Sequence, residues 1–361
     1  MADETLALAK KLISVPSVFG QEHEIAEFIA SRLKGDVELQ EVDGSGPNVV
    51  ARSEGDSRFP SILLCGHMDT VPPPHGYGAD PYKPAVKAGR LYGLGSGDMK
   101  GGLACAIQAY NRIAVDGDIP TTFLGTSDEE GNCKGVFRYL NNRPRHDLAI
   151  VLEPSGLKAM LGCRGRYVLE IVVKGKAAHG ARPEQGVNAI DETAKAIKAL
   201  QGLKVRSHGI LGKGSKCLLK IEGGGESLSV PDRCTIRLDR HVVPGDTKDG
   251  LWREVGALLS KAGLSEGYEL RWMPRPTPFL EPYVTKKTAL VMAFLSSTGA
   301  AETYGTSVGD YNALGAAMPT AVFGPSGENW HALGEFVDIE SLSKVDAKLS
   351  AFCESLRKCG R

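Results

Sequence analysis

Short apolar runs recur between residues 48 and 153, at NVVAR, SILLCGH, TTFLGTSDEE and LAIVLEP, with stretches of helical period at about 100 to 115 and 134 to 142. No other feature constrains the fold as much. Such runs suit strands buried on both faces, and strands that alternate with helices build a mostly parallel sheet. The last three runs each end in polar side chains: His67 and Asp69 in GHMDT, Glu129 and Glu130 in TSDEEG, and Glu153 in LEPS. In open α/β sheets the carboxyl edge of the strands is where sites are built.

The flanking segments differ in style. Residues 3 to 34 carry apolar side chains at helical spacing, broken by SVPSVFG, which predicts a helix, a turn and a second helix. From about residue 165 the pattern changes. RYVLEIVVKG alternates as a half-exposed strand does, and AAHGARPEQGVNAIDETAKAIKALQGL runs from a loop into a helix. SKCLLKIEGG and DRCTIRLDRHVV follow as strands, then the helix TKDGLWREVGALLSKAGL and the strand YELRWMP. This β-α-β-β-α-β order fits a split βαβ sandwich, and RPTPFLEPY reads as a linker back. The expected fold class is therefore α/β. A first domain with a mostly parallel sheet, from residues 1–164 and 277–361, carries an inserted α+β sandwich at 165–276.

Lys plus Arg and Asp plus Glu both number 43 among 361 residues, so the formal charge is zero. With no basic run, the chain offers no general attraction to nucleic acid or to an anionic membrane. No window reaches the ~18 consecutive apolar residues of a spanning helix. The opening MADETLALAKKLISVPSVFGQE lacks the apolar centre of a signal peptide, so a cytoplasmic location is expected. The eight cysteines form no C-x-x-C pair, which excludes a zinc ribbon and a thioredoxin-type motif.

In an extended strand residues i and i+2 share a face, so His67 and Asp69 project together, and a carboxylate beside a histidine fixes which ring nitrogen is free to bind a metal. Singly, each motif has an ordinary reading. The histidine and aspartate could be a simple hydrogen-bonded pair, DEE a solvated turn, and Asp98 in GSGDMKGG a helix N-cap. GLGSGDMKGG lacks both the preceding strand and the full spacing of a dinucleotide loop, which argues against a nicotinamide-dependent oxidoreductase. Together with His331 in GENWHALGE, these residues form a mixed histidine and carboxylate donor set. Such a set suits zinc, with cobalt or manganese as substitutes. An aspartate within it can bridge two ions about 3.5 to 4 Å apart.

The order H-x-D, GSGDMKGG, D-E-E-G, E-P-S and a late histidine resembles the dinuclear zinc amidohydrolase and exopeptidase family that includes acetylornithine deacetylase, succinyl-diaminopimelate desuccinylase, aminoacylase and glutamate carboxypeptidase. The resemblance spans nearly the whole chain, since AAHGARPEQGVNAI looks like that family's dimerisation-domain motif. It implies two Zn2+ ions, one on His67, Asp98 and Glu153 and the other on Asp98, Glu130 and His331. Asp69 would aim His67, Glu129 would be the general base, and the bond from Asp98 to Met99 would be cis. In the homodimer so implied, His179 would reach the partner subunit's site and support the tetrahedral oxyanion. The family commonly clamps a substrate carboxylate with an Arg on a strand of the inserted domain and an Asn before a VPD-like turn. This chain departs there: Leu228 and Ser229 precede VPD, and His241, preceded by Arg240, stands where that Arg is expected. The substrate-side residues implied are Arg240 or His241, with Ser307, Asp310 and Asn312 in GTSVGDYNALG.

The activity implied is hydrolysis of the amide of a small N-acyl amino acid, as in acetylornithine deacetylase. Alternatives are a dipeptidase or carboxypeptidase using the same metals, release of an amino acid from a carrier protein, and a noncatalytic binding protein on the same fold. All the ligand and base residues are present, which weighs against the last.

Overall fold

The computed structural model describes residues 2–78, 80–225 and 228–359. It divides into two compact units, one of Met1–Cys163, Val284–Gly305 and Gly309–Arg361, the other of Arg164–Tyr283 with Thr306–Val308.

In chain order, helices α1 (Ala2–Ser14) and α2 (His23–Ala30) precede strands β1 (Asp36–Gln40), β2 (Asn48–Ser53) and β3 (Ile62–His67). Helix α3 (Gly101–Asp116), strand β4 (Thr121–Thr126), helix α4 (Lys134–Leu140) and strands β5 (Leu148–Val151) and β6 (Ala159–Cys163) follow. The second unit contributes β7 (Gly165–Lys174), α5 (Ala189–Leu200), β8 (Ser215–Gly223), β9 (Arg233–Val242), α6 (Lys248–Lys261) and β10 (Tyr268–Trp272). The chain then forms β11 (Tyr283–Val284), α7 (Ala289–Thr298), β12 (Glu302–Gly305), α8 (Asp310–Ala317), β13 (Thr320–Val322) and α9 (Ile339–Cys359).

The first unit is built on a nine-stranded mixed sheet in the order β1-β2-β4-β3-β5-β13-β6-β11, with β12 beside β6. Its centre is parallel, β4 with β3, β3 with β5 and β5 with β13, while β1, β2 and β4 pair antiparallel. Every residue of β3, β4 and β5 is buried, which is why these segments read as continuous apolar runs rather than alternating ones. Helices α1, α3, α7 and α9 supply much of the core, with Leu12, Leu103, Phe294 and Phe352 buried against Ile62, Leu64 and Phe123 of the strands.

One local device sets the approach of α3 to the strands. A Cβ at Gly102 would collide with the Leu152 carbonyl, so the paired glycines of MKGG bring the helix start against the backbone just past β5.

The second unit is a four-stranded antiparallel sheet, β8-β9-β7-β10, one face of which packs on α5 and α6. Both helices open on side-chain caps, Asn188 accepting from the Ile190 N–H and Thr247 from the Gly250 N–H. Strand β8 lies at the sheet edge with Leu218, Leu219 and Ile221 exposed. Among the described residues, no helix is long and apolar enough to cross a membrane.

Candidate metal centre

Because β3, β4 and β5 are parallel and adjacent, their carboxyl ends deliver His67, the 128–130 turn and Glu153 to one edge of the sheet. His67 pairs in register with Thr126, and Cys65 with Val151, so Glu153 comes level with His67. Asp98 arrives from the turn Ser96–Lys100 before α3, and His331 from the loop after β13.

Two groups of possible ligand atoms, each within 4.8 Å of one another, share a residue: His67 with Asp98 and Glu153, and Asp98 with Glu130 and His331. Asp98 belongs to both. Its Oδ1 lies 3.1 Å from His67 Nε2 and its Oδ2 3.4 Å from His331 Nε2. Glu153 Oε1 is 3.6 Å from His67 Nε2, and Glu130 Oε1 is 2.8 Å from His331 Nε2. A third group joins His67, Glu129 and Glu130. The peptide bond Asp98–Met99 is cis.

Asp69 is wholly buried and links two segments. Nδ1 of His67 lies 3.0 Å from the Asp69 carbonyl oxygen and 3.6 Å from its carboxylate, which leaves Nε2 facing Asp98 and Glu153. The Asp69 carboxylate accepts instead the backbone N–H groups of Glu129, at 3.2 Å, and Glu130, at 2.9 Å. One residue thus orients the histidine and the acidic turn together.

Two further buried carboxylates, Glu22 and Glu335, brace the site, and neither stands out in the sequence. Glu335 accepts the N–H groups of Gly95, Gly97 and Asp98 at 2.9 to 3.0 Å, fixing the Asp98 turn. Glu22 accepts the Asp128 N–H at 3.1 Å and also binds Gly20, Ser45 and Gly46. The contacts from Glu335 to Asp98 and from Glu22 to Asp128 span 237 and 106 residues, so no local pattern announces them. Gly309 lies against Glu129: a Cβ there would meet its Oε1.

Crowded negative charge dominates the electrostatics. Burial, then the neighbouring acids, raise the carboxyls of Glu129 and Glu153 well above the ordinary range. Burial would lower His67, but Glu153, Asp98, Glu129 and Asp69 raise it well above an ordinary imidazole. Hydrogen bonds with Asp98 and Glu130 raise His331 to about 10. Burial also would raise Asp98, yet its two histidine partners hold it below the usual carboxylate range. Two imidazoles and several carboxylates converging in this way fit a pair of divalent cations.

Residues 63–355 match the sequence profile of Peptidase family M20/M25/M40. The chain belongs to this family. A succinyl-diaminopimelate desuccinylase from Delftia acidovorans is 30% identical over 94% of the chain and 96% of its own length. An acetylornithine deacetylase from Proteus mirabilis is 32% identical over 77% and 75%. Among solved structures, a tripeptidase from Staphylococcus aureus superposes with a TM-score of 0.80 at 20% identity, over 99% of each chain.

The expected substrate-side residues of this M20 member differ in burial and in the strand face they occupy. Arg240 shares the helix-covered face of β9 with Ile236, Leu238 and Val242 and is buried. β9 pairs with β7 in unbroken register across this stretch, so no shift turns Arg240 to the opposite face. That face carries His241, whose Nδ1 lies 3.0 Å from the Thr306 carbonyl oxygen and whose Nε2 lies 3.5 Å from Asp239. Asp310 and Asn312 are also buried, and Asn312 Oδ1 accepts the Gly309 N–H at the start of α8. Ser307 is exposed in the second unit, as is His179, whose Nδ1 accepts the Ala181 N–H at 3.1 Å.

Proposed function

We propose that this chain is a dinuclear metal-dependent amidohydrolase that removes the acyl group from an N-acyl amino acid, as its acetylornithine deacetylase and succinyl-diaminopimelate desuccinylase relatives do by name. The observation that carries this reading is the sharing of Asp98 between two donor groups with Glu129 beside them. In this reading His67, Asp98 and Glu153 hold one cation, and Asp98, Glu130 and His331 hold the other. The donor set favours zinc, with cobalt or manganese able to substitute. When bound, such a pair polarises the amide carbonyl and eases ionisation of water.

The protein residues supply the rest. Asp69 keeps Nε2 of His67 presented and locks the backbone at Glu129. Glu129 takes a proton from the attacking water and returns it to the departing amine, one carboxylate acting as base and then as acid. His179 carries its proton on Nε2, because Nδ1 is an acceptor, and donates to the developing oxyanion. His241, with Ser307, recognises the substrate carboxylate.

The inserted segment 165–276 serves in this reading as the dimerisation and lid domain of a homodimer, and 1–164 with 277–361 as the catalytic domain. Support comes from β8, whose edge position and exposed Leu218, Leu219 and Ile221 suit pairing with a second copy. Cys65, Cys105, Cys217, Cys234 and Cys353 are thiols outside any disulfide, which suits the reducing cytoplasm in which we place the enzyme.

The test is release of free amine from N-acetyl, N-succinyl and N-formyl amino acids and from dipeptides, with zinc or cobalt and again after chelation. Chelator-sensitive turnover concentrated on an acyl amino acid is expected. A preference for dipeptides would replace this reading with a peptidase, and no metal-dependent turnover of any small substrate would turn attention to a carrier-bound amino acid or a noncatalytic binding protein.

A further inference from the structure

A cavity of about 710 Å³ opens in the second unit, lined by Gly202, by residues 204–206, by Arg240 of β9 and by α6. Its charged lining consists of Lys204, Arg206, Arg240 and Lys261 against Asp246 and Glu254. The volume lies within the range of small-molecule sites.

Arg240 makes this cavity chemically distinctive. It is 3% exposed, so its charge has largely left water. Its guanidinium nevertheless meets only distant acceptors among the described residues, the Ser215 carbonyl oxygen at 3.5 Å and Asp246 Oδ1 at 3.7 Å. Buried guanidinium groups are ordinarily matched by a close, often bidentate, acceptor. Burial accordingly holds Arg240 below its ordinary value despite the nearby acids.

Both acids in the lining already have other partners. Asp246 Oδ1 also faces Arg206 Nε at 3.4 Å, while its Oδ2 accepts the Val243 N–H at 3.0 Å. Glu254 Oε1 accepts the Lys204 N–H at 2.8 Å. Four cations therefore surround the cavity against two acids that are already engaged.

We propose that this cavity binds a small dianionic oxyanion, a phosphate or a dicarboxylate, held by Arg240 inside and by Arg206 at the rim. The site is separate from the metal-centre reading and does not depend on it, since every lining residue belongs to the second unit and every candidate metal ligand to the first.

The experiment is isothermal titration of the full chain with inorganic phosphate and, separately, with succinate, at constant ionic strength. Arg206→Gln and Arg240→Gln are titrated alongside. The expected result is saturable binding of at least one anion at one site per chain, weakened at least tenfold in Arg206→Gln, whose side chain is exposed enough to change without unfolding the unit. Binding of phosphate alone would identify a phosphoryl ligand, and binding of succinate alone a dicarboxylate. Arg240→Gln, where it folds, is expected to abolish binding. Absence of saturable binding to the unaltered chain would overturn the proposal, as would an affinity unchanged in Arg206→Gln, which would locate the anion elsewhere.

Discussion

Glu129 differs from its neighbour Glu130 in what surrounds it rather than in chemistry. Glu130 reaches His331 at 2.8 Å, whereas Glu129 lies within 4.8 Å of His67 and Glu130 with Gly309 against its oxygen. Glu129→Gln keeps the size of the side chain and removes the proton-transfer role proposed for it. Turnover is expected to fall about 10²- to 10⁴-fold, the range usual for a general acid–base. Metal content per chain, measured by atomic absorption, should stay the same. Loss of metal in the variant, or near-normal turnover, would remove Glu129 from the role given to it. The residues that converge here stand out in the sequence: His67, Glu129, Glu130 and Glu153 follow apolar runs, and Asp98 lies in a glycine-rich turn. The choice between Arg240 and His241 stayed open in the sequence, because the register of the strand was not fixed there; the structure puts Arg240 in phase with Ile236, Leu238 and Val242 on the covered face.

At the level of elements, the Asp98 turn is positioned by a residue far along the chain. Glu335 is 2% exposed and accepts three backbone N–H groups from that turn. In Glu335→Gln an amide NH2 replaces one oxygen and faces a backbone donor, leaving a buried N–H unpaired at a cost of about 1–3 kcal/mol. Metal affinity, read by competition with a chelator, is expected to weaken about 10- to 100-fold, as for other residues that orient ligands from behind. A variant with lowered melting temperature but unchanged affinity would make Glu335 merely structural. Glu335 and Glu22 escaped sequence reasoning for a physical reason: a carboxylate that binds backbone N–H groups needs no complementary side chain, so nothing in the partner segment marks the contact.

A second element-level prediction concerns the other end of β3. His146 is partly buried between Ser61 Oγ, at 2.9 Å from Nδ1, and the Tyr139 hydroxyl, at 2.8 Å from Nε2. Burial lowers its pKa from 6.5 to about 4. The unfolded chain therefore binds this proton first, and the contribution to stability shrinks as pH falls from about 6.5 towards 4, by at most about 3 kcal/mol. Urea midpoints at pH 7 and pH 4.5 should separate less in His146→Gln than in the unaltered chain. Equal pH dependence in the two would show that the histidine does not carry the effect.

For the whole molecule, the proposed homodimer places a donor from one subunit at the centre of the other. The candidate ligands and Glu129 all lie in the first unit, and His179 lies in the second. Glu129→Gln and His179→Ala should each be inactive as homodimers, because each lacks one part of both sites. Mixed and allowed to exchange, they form a heterodimer in which one site has both defects and the other has none. Two-fold symmetry with random assortment then restores about a quarter of the normal activity. A His179 acting within its own chain gives the opposite outcome, since every site keeps one defect and mixing restores nothing. Exchange itself can be followed by size-exclusion chromatography with light scattering on subunits of different tag length, so a silent mixture that has demonstrably exchanged excludes donation between subunits. The same assay reports on the β8 edge. Leu219→Asp should shift the chain to monomer and prevent rescue, whereas rescue that survives this substitution would place the dimer contact on another surface.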